Sequence, residues 1–255
     1  MIVRTKDLKG YILHCTDGEI GRVLDFYFDD HHWTVRYMVV DAGNWLLDRK
    51  VLVSPYAISG VNQIQQYFKL NISKKQLANS PSLETDKPVS RRFEEIYNSY
   101  FGWPLYWTGL YRWGEFPTIV PDIKMWKDEA LDKKFWDLHL RSTLEVRGHD
   151  IQALDGLIGH VDDFVMELET WAIRYLVISL ENWLPGKKVL VSPLWIDRIS
   201  WGNNSVMVNL SKELIKESPE YKEEVDISRD YETILHTHYH KTGYWLEEKS
   251  PSLPE

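Results

Sequence analysis

The first 78 residues carry short apolar runs every 8–12 positions, separated by turn residues. Leu8–Cys15, Glu19–Asp29, Trp33–Asp41, Lys50–Ser54, Ala57–Val61 and Gln65–Ile72 are rich in β-branched and aromatic residues and read as strands. Asp17-Gly18 and Asp29-Asp30-His31-His32 are turns, and Pro55 stops the fourth run. Gly21 inside the second run predicts a bulge or corner. Trp33–Asp41 has so few polar members that both its faces should be covered. Ser73-x-x-Gln76 is a capping box that opens a short helix to about Asn79.

The same pattern is written twice. Asp17–Ile58 and Asp155–Ile196 superpose without a gap at an offset of 138, with 21 of 42 positions identical. The offset holds backwards (Thr5/Thr143, Gly10/Gly148) and forwards (Asn71/Asn209, Ser73/Ser211, Pro81/Pro219). Such a repeat decides the domain count before any local reading does.

After a polar connector with Pro81 and Pro88, the period changes from two to 3.6. Phe93, Ile96, Tyr97, Tyr100 and Phe101 form one stripe of a helix over Arg91–Phe101, which Gly102-Trp103-Pro104 ends. A helix this short is marginal alone, so the stripe must dock on something. The repeat continues here too: Arg91, Phe93, Glu94, Ile96, Phe101 and Trp107 match Arg229, Tyr231, Glu232, Ile234, Tyr239 and Trp245. The repeating unit is therefore strands plus a trailing aromatic helix. Residues 109–138 have no counterpart; they form a linker in which Met125, Leu131 and Phe135 could share a helical face. The expected boundaries are 1–80 and 139–218 for the β modules, 81–108 and 219–247 for the tails, and 248–255 for a disordered end.

Composition narrows the functional classes. The net charge of −8 and the absence of a Lys/Arg-rich run leave no electrostatic footprint for nucleic acid. No apolar stretch approaches a membrane span, and the N-terminus lacks the apolar core of a signal peptide. Those features, with Cys15 as the sole cysteine, predict a cytoplasmic protein, and peripheral membrane association stays open. Cys15 itself reads as a small buried hydrophobe.

The run DG-x-IG-x-V-x-DF, W-x-[VI]-RY, NWL and KVLVSP, present in both copies, resembles the PRC-barrel superfamily. These small β-barrels include the cytoplasmic part of the photosynthetic reaction-centre H subunit and the C-terminal domain of ribosome-maturation factors. His139–Thr143 (HLRST) and Asn182–Pro193 (NWLPGKKVLVSP) look most like the tandem bacterial members. The resemblance implies a mainly β protein of two tandem small barrels, each with a helical aromatic tail. It implies binding and assembly rather than catalysis. The missing transmembrane helix and the missing second domain type set the chain apart from both named relatives.

Candidate chemistry is sparse. His236, His238 and His240 would face one side of a strand, as metal ligands could. The repeat instead places them opposite Asn98, Tyr100 and Gly102, where His236 and His240 are helical neighbours. There they are a weak metal pair or a helix-end cluster that titrates near neutrality. Asp17/Asp155 and Asp25/Asp163 recur without a His, Ser or Lys partner at a fixed place, so they read as turn formers and strand-end acceptors. Arg36/Arg174 lie inside apolar strands and need a partner, with Asp25/Asp163 the expected one. No phosphate-binding glycine loop and no CxxC occur. No catalytic residue, metal or cofactor is assigned.

The expected function is a non-enzymatic binding or scaffold module that takes a protein partner or its own copy as a homodimer. The tail helix could cross to the other copy. The expected interface residues are the loop tryptophans Trp45 and Trp183 and the tail aromatics Trp103, Tyr106, Trp107, Tyr244 and Trp245. The alternative is a metal- or small-ligand-responsive sensor using the three histidines or a groove between the barrels.

Overall fold

The computed structural model describes residues 1–43, 50–81, 89–107, 140–180 and 186–247. The expectations for the Asn44–Leu46 and Asn182–Leu184 loops with their tryptophans, for the 109–138 linker and for the 248–255 end lie outside them.

The first repeat opens with β1 (Ile2–Arg4) and a single turn, α1 (Thr5–Leu8). Strands β2 (Ile12–Cys15), β3 (Gly18–Asp29), β4 (Thr34–Asp41), β5 (Lys50–Val53), β6 (Ile58–Asn62) and β7 (Tyr67–Leu70) follow. Helices α2 (Lys74–Ala78) and α3 (Arg91–Phe101) close it. The second repeat has the same order, with one further helical turn at its end. It runs β8 (Leu140–Ser142), α4 (Thr143–Val146), β9 (Asp150–Ala153), β10 (Gly156–Glu167) and β11 (Ile173–Ser179). Then come β12 (Lys188–Val191), β13 (Ile196–Ser200), β14 (Ser205–Val208), α5 (Lys212–Lys216), α6 (Arg229–His238) and α7 (Tyr244–Glu247).

The expected strands are present, with one exception at the start. Leu8 ends a helical turn, and the first long run becomes a strand only from Ile12. The capping box forms as written, with Ser73 and Gln76 satisfying each other's backbone N–H groups. The turn aspartates cap the same helices from outside: Asp17 accepts from the Lys74 N–H (2.6 Å) and Asp155 from that of Lys212 (2.8 Å). Strands β4 and β11 are buried almost throughout, as their composition requires. Cys15 is buried, which pushes its thiol up to about 12.

The strands form two seven-stranded sheets, ordered β5-β4-β3-β2-β7-β6 with β8 on β3, and β12-β11-β10-β9-β14-β13 with β1 on β10. The end strands of each ladder do not pair, so among the described residues the sheets are open rather than the closed barrels expected. The cause is local. Pro55 and Pro193 open 3-10 turns capped by Ser54 and Ser192, and these turn the chain a corner between the two end strands. Chain outside the sheet bonds to one end strand of each, β5 and β12. The Tyr97 hydroxyl donates to the Leu52 carbonyl (2.7 Å), and the Tyr221 N–H to the Lys188 carbonyl (2.8 Å).

The compact units are not the two repeats as written. One comprises Met1–Lys6 with Thr143–Glu255, the other Asp7–Ser142. The leading strands are exchanged in matching register: Ile2 pairs with Glu167, and Leu140 with Asp29, positions equivalent at the offset of 138. Asp163 on β10 holds the incoming chain, accepting the Thr5 hydroxyl (2.7 Å) and the Lys6 N–H (3.3 Å). Asp25 likewise accepts the Ser142 hydroxyl (2.5 Å). The recurring aspartates therefore anchor the exchanged strand. The tails, by contrast, dock on their own sheets: Tyr97 packs with Tyr37, Val39 and Leu52.

Thr5→Val keeps the shape and removes the donor, and is expected to loosen β1 by about 1.5 kcal/mol, the worth of a hydrogen bond to a charged group. Amide exchange at Ile2–Arg4 should quicken roughly tenfold while β9–β14 stay protected. Unchanged protection would show that the hydroxyl does not hold the strand.

Candidate functional site

The chemistry-bearing residues gather where each tail helix meets its sheet. A β-bulge creates the first part of the site. Tyr27 pairs with Tyr37 and Phe28 with Val35, which leaves Arg36 as the extra residue of β4. Val165 pairs with Tyr175 and Met166 with Ile173, so Arg174 is the extra residue of β11. A bulge re-aims its side chain. Arg36 reaches Asp29 (Nε to Oδ2, 2.7 Å), and Arg174 reaches Glu167 (Nε to Oε2, 3.1 Å, with Nη2 on the same oxygen). The expected partners, Asp25 and Asp163, are thus replaced by the carboxylates four residues on. His32 donates its backbone N–H to Asp29 and lies with Nδ1 3.0 Å from the same oxygen. Burial opposes charge on Asp29, but Arg36 and His32 overcome it and hold the carboxyl well below its usual range. Glu167, less buried, is lowered by Arg174 and Thr170 against the same opposition.

The tail supplies the second part. Ser90 and Ser228 cap α3 and α6 by accepting the Phe93 and Tyr231 N–H groups. The buried face of α3 carries Glu94, Tyr97 and Asn98, whereas Ile96 and Tyr100 of the expected stripe point outward. The polar members tolerate burial because partners meet them. Tyr106 donates to Glu94 Oε1 (2.7 Å), and Asn98 donates to the Tyr37 hydroxyl (3.3 Å). Burial still raises the Glu94 carboxyl to about 7, against the pull of Tyr106 and Arg91.

In the second copy, Tyr244 donates to Glu232 Oε1 (2.9 Å), and the Tyr175 hydroxyl touches both Glu232 Oε1 (2.8 Å) and His236 Nε2 (3.0 Å). Arginines stack on the tail aromatics in both copies. Arg36 lies over Tyr106 (4.0 Å) and Arg91 over Trp107 (3.8 Å); Arg174 lies over Tyr244 (3.9 Å) and Arg229 over Trp245 (4.3 Å).

The three histidines part company. His236 is buried, with Nδ1 2.9 Å from the Thr242 carbonyl and Nε2 on Tyr175. His238 Nε2 meets the Leu214 carbonyl (2.7 Å). His240 adopts φ 54°, the left-handed place that Gly102 (φ 71°) fills in the first copy, and Lys241 N–H then closes on the His236 carbonyl (2.9 Å). No three His, Cys, Asp or Glu among the described residues converge as metal ligands. Tyr106, Trp107 and Tyr244, expected at an interface, are buried inside their own units; Trp103 and Trp245 are half-buried.

Sequence reasoning missed Glu94/Glu232, Tyr37/Tyr175 and Arg91/Arg229 as site residues. The signal was present: all three pairs are identical across the offset. Chemically, the arrangement can bind and share protons, and its side chains point inward. No helix among the described residues is long and apolar enough to cross a membrane. No protein-family model matches the chain, and no curated protein matches it.

Proposed function

We propose that the chain is a non-catalytic binding or scaffold protein of the cytoplasm, built from two PRC-barrel-like modules, whose ligand is a protein or a second copy of itself. One duplicated observation carries this reading. Ile96 and Ile234 occupy the same place in the two tails, and they are 51% and 59% exposed. Tyr100 and Leu246, also on the tails, are exposed as well. An exposed aliphatic side chain repeated at an equivalent position offers two like contacts, and two weak contacts on one partner gain from effective concentration. The polar residues shared by the copies point the same way: Arg36/Arg174, Glu94/Glu232 and Asp25/Asp163 are engaged inside the fold. The resemblance to superfamily members that act as assembly modules adds weight.

The test is capture of the tagged full chain from native extract, with the mass of the eluted complex measured for wild type and for Ile96→Glu/Ile234→Glu. Wild type should elute with a partner or as a dimer, and the folded double variant alone. A wild-type protein that returns alone and monomeric overturns the reading; a double variant that keeps the same complex moves the surface elsewhere.

A further inference from the structure

Four short contacts around His236 need more hydrogens than the usual charge states supply. They are Tyr175 hydroxyl to Glu232 Oε1 (2.8 Å), Tyr175 hydroxyl to His236 Nε2 (3.0 Å), His236 Nδ1 to the Thr242 carbonyl (2.9 Å) and Tyr244 hydroxyl to Glu232 Oε1 (2.9 Å). The Thr242 carbonyl only accepts, so Nδ1 carries a hydrogen. Tyr175 and Tyr244 bring one each. An ionised Glu232 beside a neutral His236 is then one hydrogen short of four. The fourth sits either on Nε2, as imidazolium facing carboxylate, or on Glu232, as acid facing imidazole. The two forms interconvert when both hydrogens shift through the Tyr175 oxygen.

We propose that Tyr175, Glu232 and His236 hold this shared proton as a latch for the C-terminal turn Thr242–Glu247, so that losing it at raised pH loosens the turn from α6. The turn hangs on the cluster at three points: the Thr242 carbonyl, the Tyr244 hydroxyl, and the Trp245 ring, 5.0 Å from that of His236. Without the proton, one of the four contacts becomes two lone pairs facing each other, and a buried contact of that kind is costly.

The surroundings set the opposing tendency. From α6 itself, Arg229 pairs with Glu232 Oε2 (2.9 Å). From β11, Arg174 faces Tyr244 and Tyr175; from the end of β10, Glu167 faces Arg174 and Tyr244. Trp195 and Tyr239 close the apolar side. Burial and, after it, Arg229 outweigh the Thr242 contact and hold the His236 imidazole below its usual value. The hydrogen-bond count holds the proton, while burial and Arg229 oppose it. The first copy lacks the device, because Asn98 stands where His236 does.

Amide protection factors of Thr242–Glu247, corrected for intrinsic exchange, test the proposal on the full chain. In wild type they should fall about tenfold or more between about pH 4 and about pH 8, the effect of one lost charge-assisted hydrogen bond. Tyr175→Phe removes both contacts that create the shortage, and His236→Asn installs the first copy's residue. Both variants should show protection independent of pH over that range. A flat wild-type profile overturns the proposal whether or not the variants fold. A Tyr175→Phe profile that tracks wild type overturns it as well.

Discussion

Arg36→Ala is expected to destabilise the Asp7–Ser142 unit by about 3–5 kcal/mol, the cost of stripping one partner from a buried ion pair. Arg36 is 1% exposed and Asp29 0%. Truncation leaves a buried carboxylate that keeps His32 but no longer has the guanidinium, and it takes away the cation stacked on Tyr106. The same change at Arg174 should cost less, because Glu167 is 16% exposed and keeps the Thr170 hydroxyl (2.6 Å). Urea unfolding, followed unit by unit through amide exchange, checks the order; equal midpoints for wild type and Arg36→Ala would refute the first statement. The pH dependence has a definite sign. Asp29 is held below its unfolded value by Arg36, so its contribution is complete above the ordinary carboxylate range and fades as pH falls beneath it. The gap between wild type and Arg36→Ala should therefore shrink on acidification. Glu94 runs the other way. Raised to about 7 by burial, it stabilises most below its unfolded value and loses that contribution as pH rises through 7. Adding Asp29→Asn to Arg36→Ala should restore part of the loss, because the orphaned charge is gone.

What the sequence disclosed here is what depends on local pattern. The strand runs, the capping box at Ser73 and the left-handed end at Gly102 are written in neighbouring residues, and the repeat let each copy check the other. What it concealed depends on parity and partner. Asp25 is the partner expected for Arg36, but one extra residue in β4 re-aims the side chain to Asp29. The apolar members of α3 predict its buried face. Glu94 and Asn98 are buried instead because Tyr106 and Tyr37 await them, and no period of α3 encodes that. The exchange of β1 and β8 is the extreme case. A strand of three residues has almost no pattern of its own, and its place is fixed by Asp163 and Asp25, far away in sequence. The duplicated polar pairs could have been found, since identity at an otherwise apolar contact is a sign of a buried network.

Glycine within a strand predicts a bulge or corner, and the structure turns that into a second large effect. A Cβ on Gly21 would lie 1.9 Å from the Asp41 carbonyl oxygen and 2.8 Å from its carbon, both backbone atoms that cannot swing aside. Gly21 also has φ 151°, a conformation costly for other residues. Gly159 makes the same approach, 2.1 Å from the Ser179 carbonyl oxygen, with no positive φ. Two neighbouring strands come this close at these points because no side chain intervenes. Gly21→Ala should cost about 3 kcal/mol or more, at the upper end of overpacking, since β3 must part from β4 or lose its register. Gly159→Ala pays for the overlap alone and should cost somewhat less. Gly60 in β6 meets nothing within 4 Å and serves as the control; alanine there should change stability by less than about 1 kcal/mol in either direction. Denaturation midpoints of the three variants decide the matter. If Gly21→Ala unfolds with the Gly60→Ala control, the close crossing of β3 and β4 does not govern the shape of the sheet.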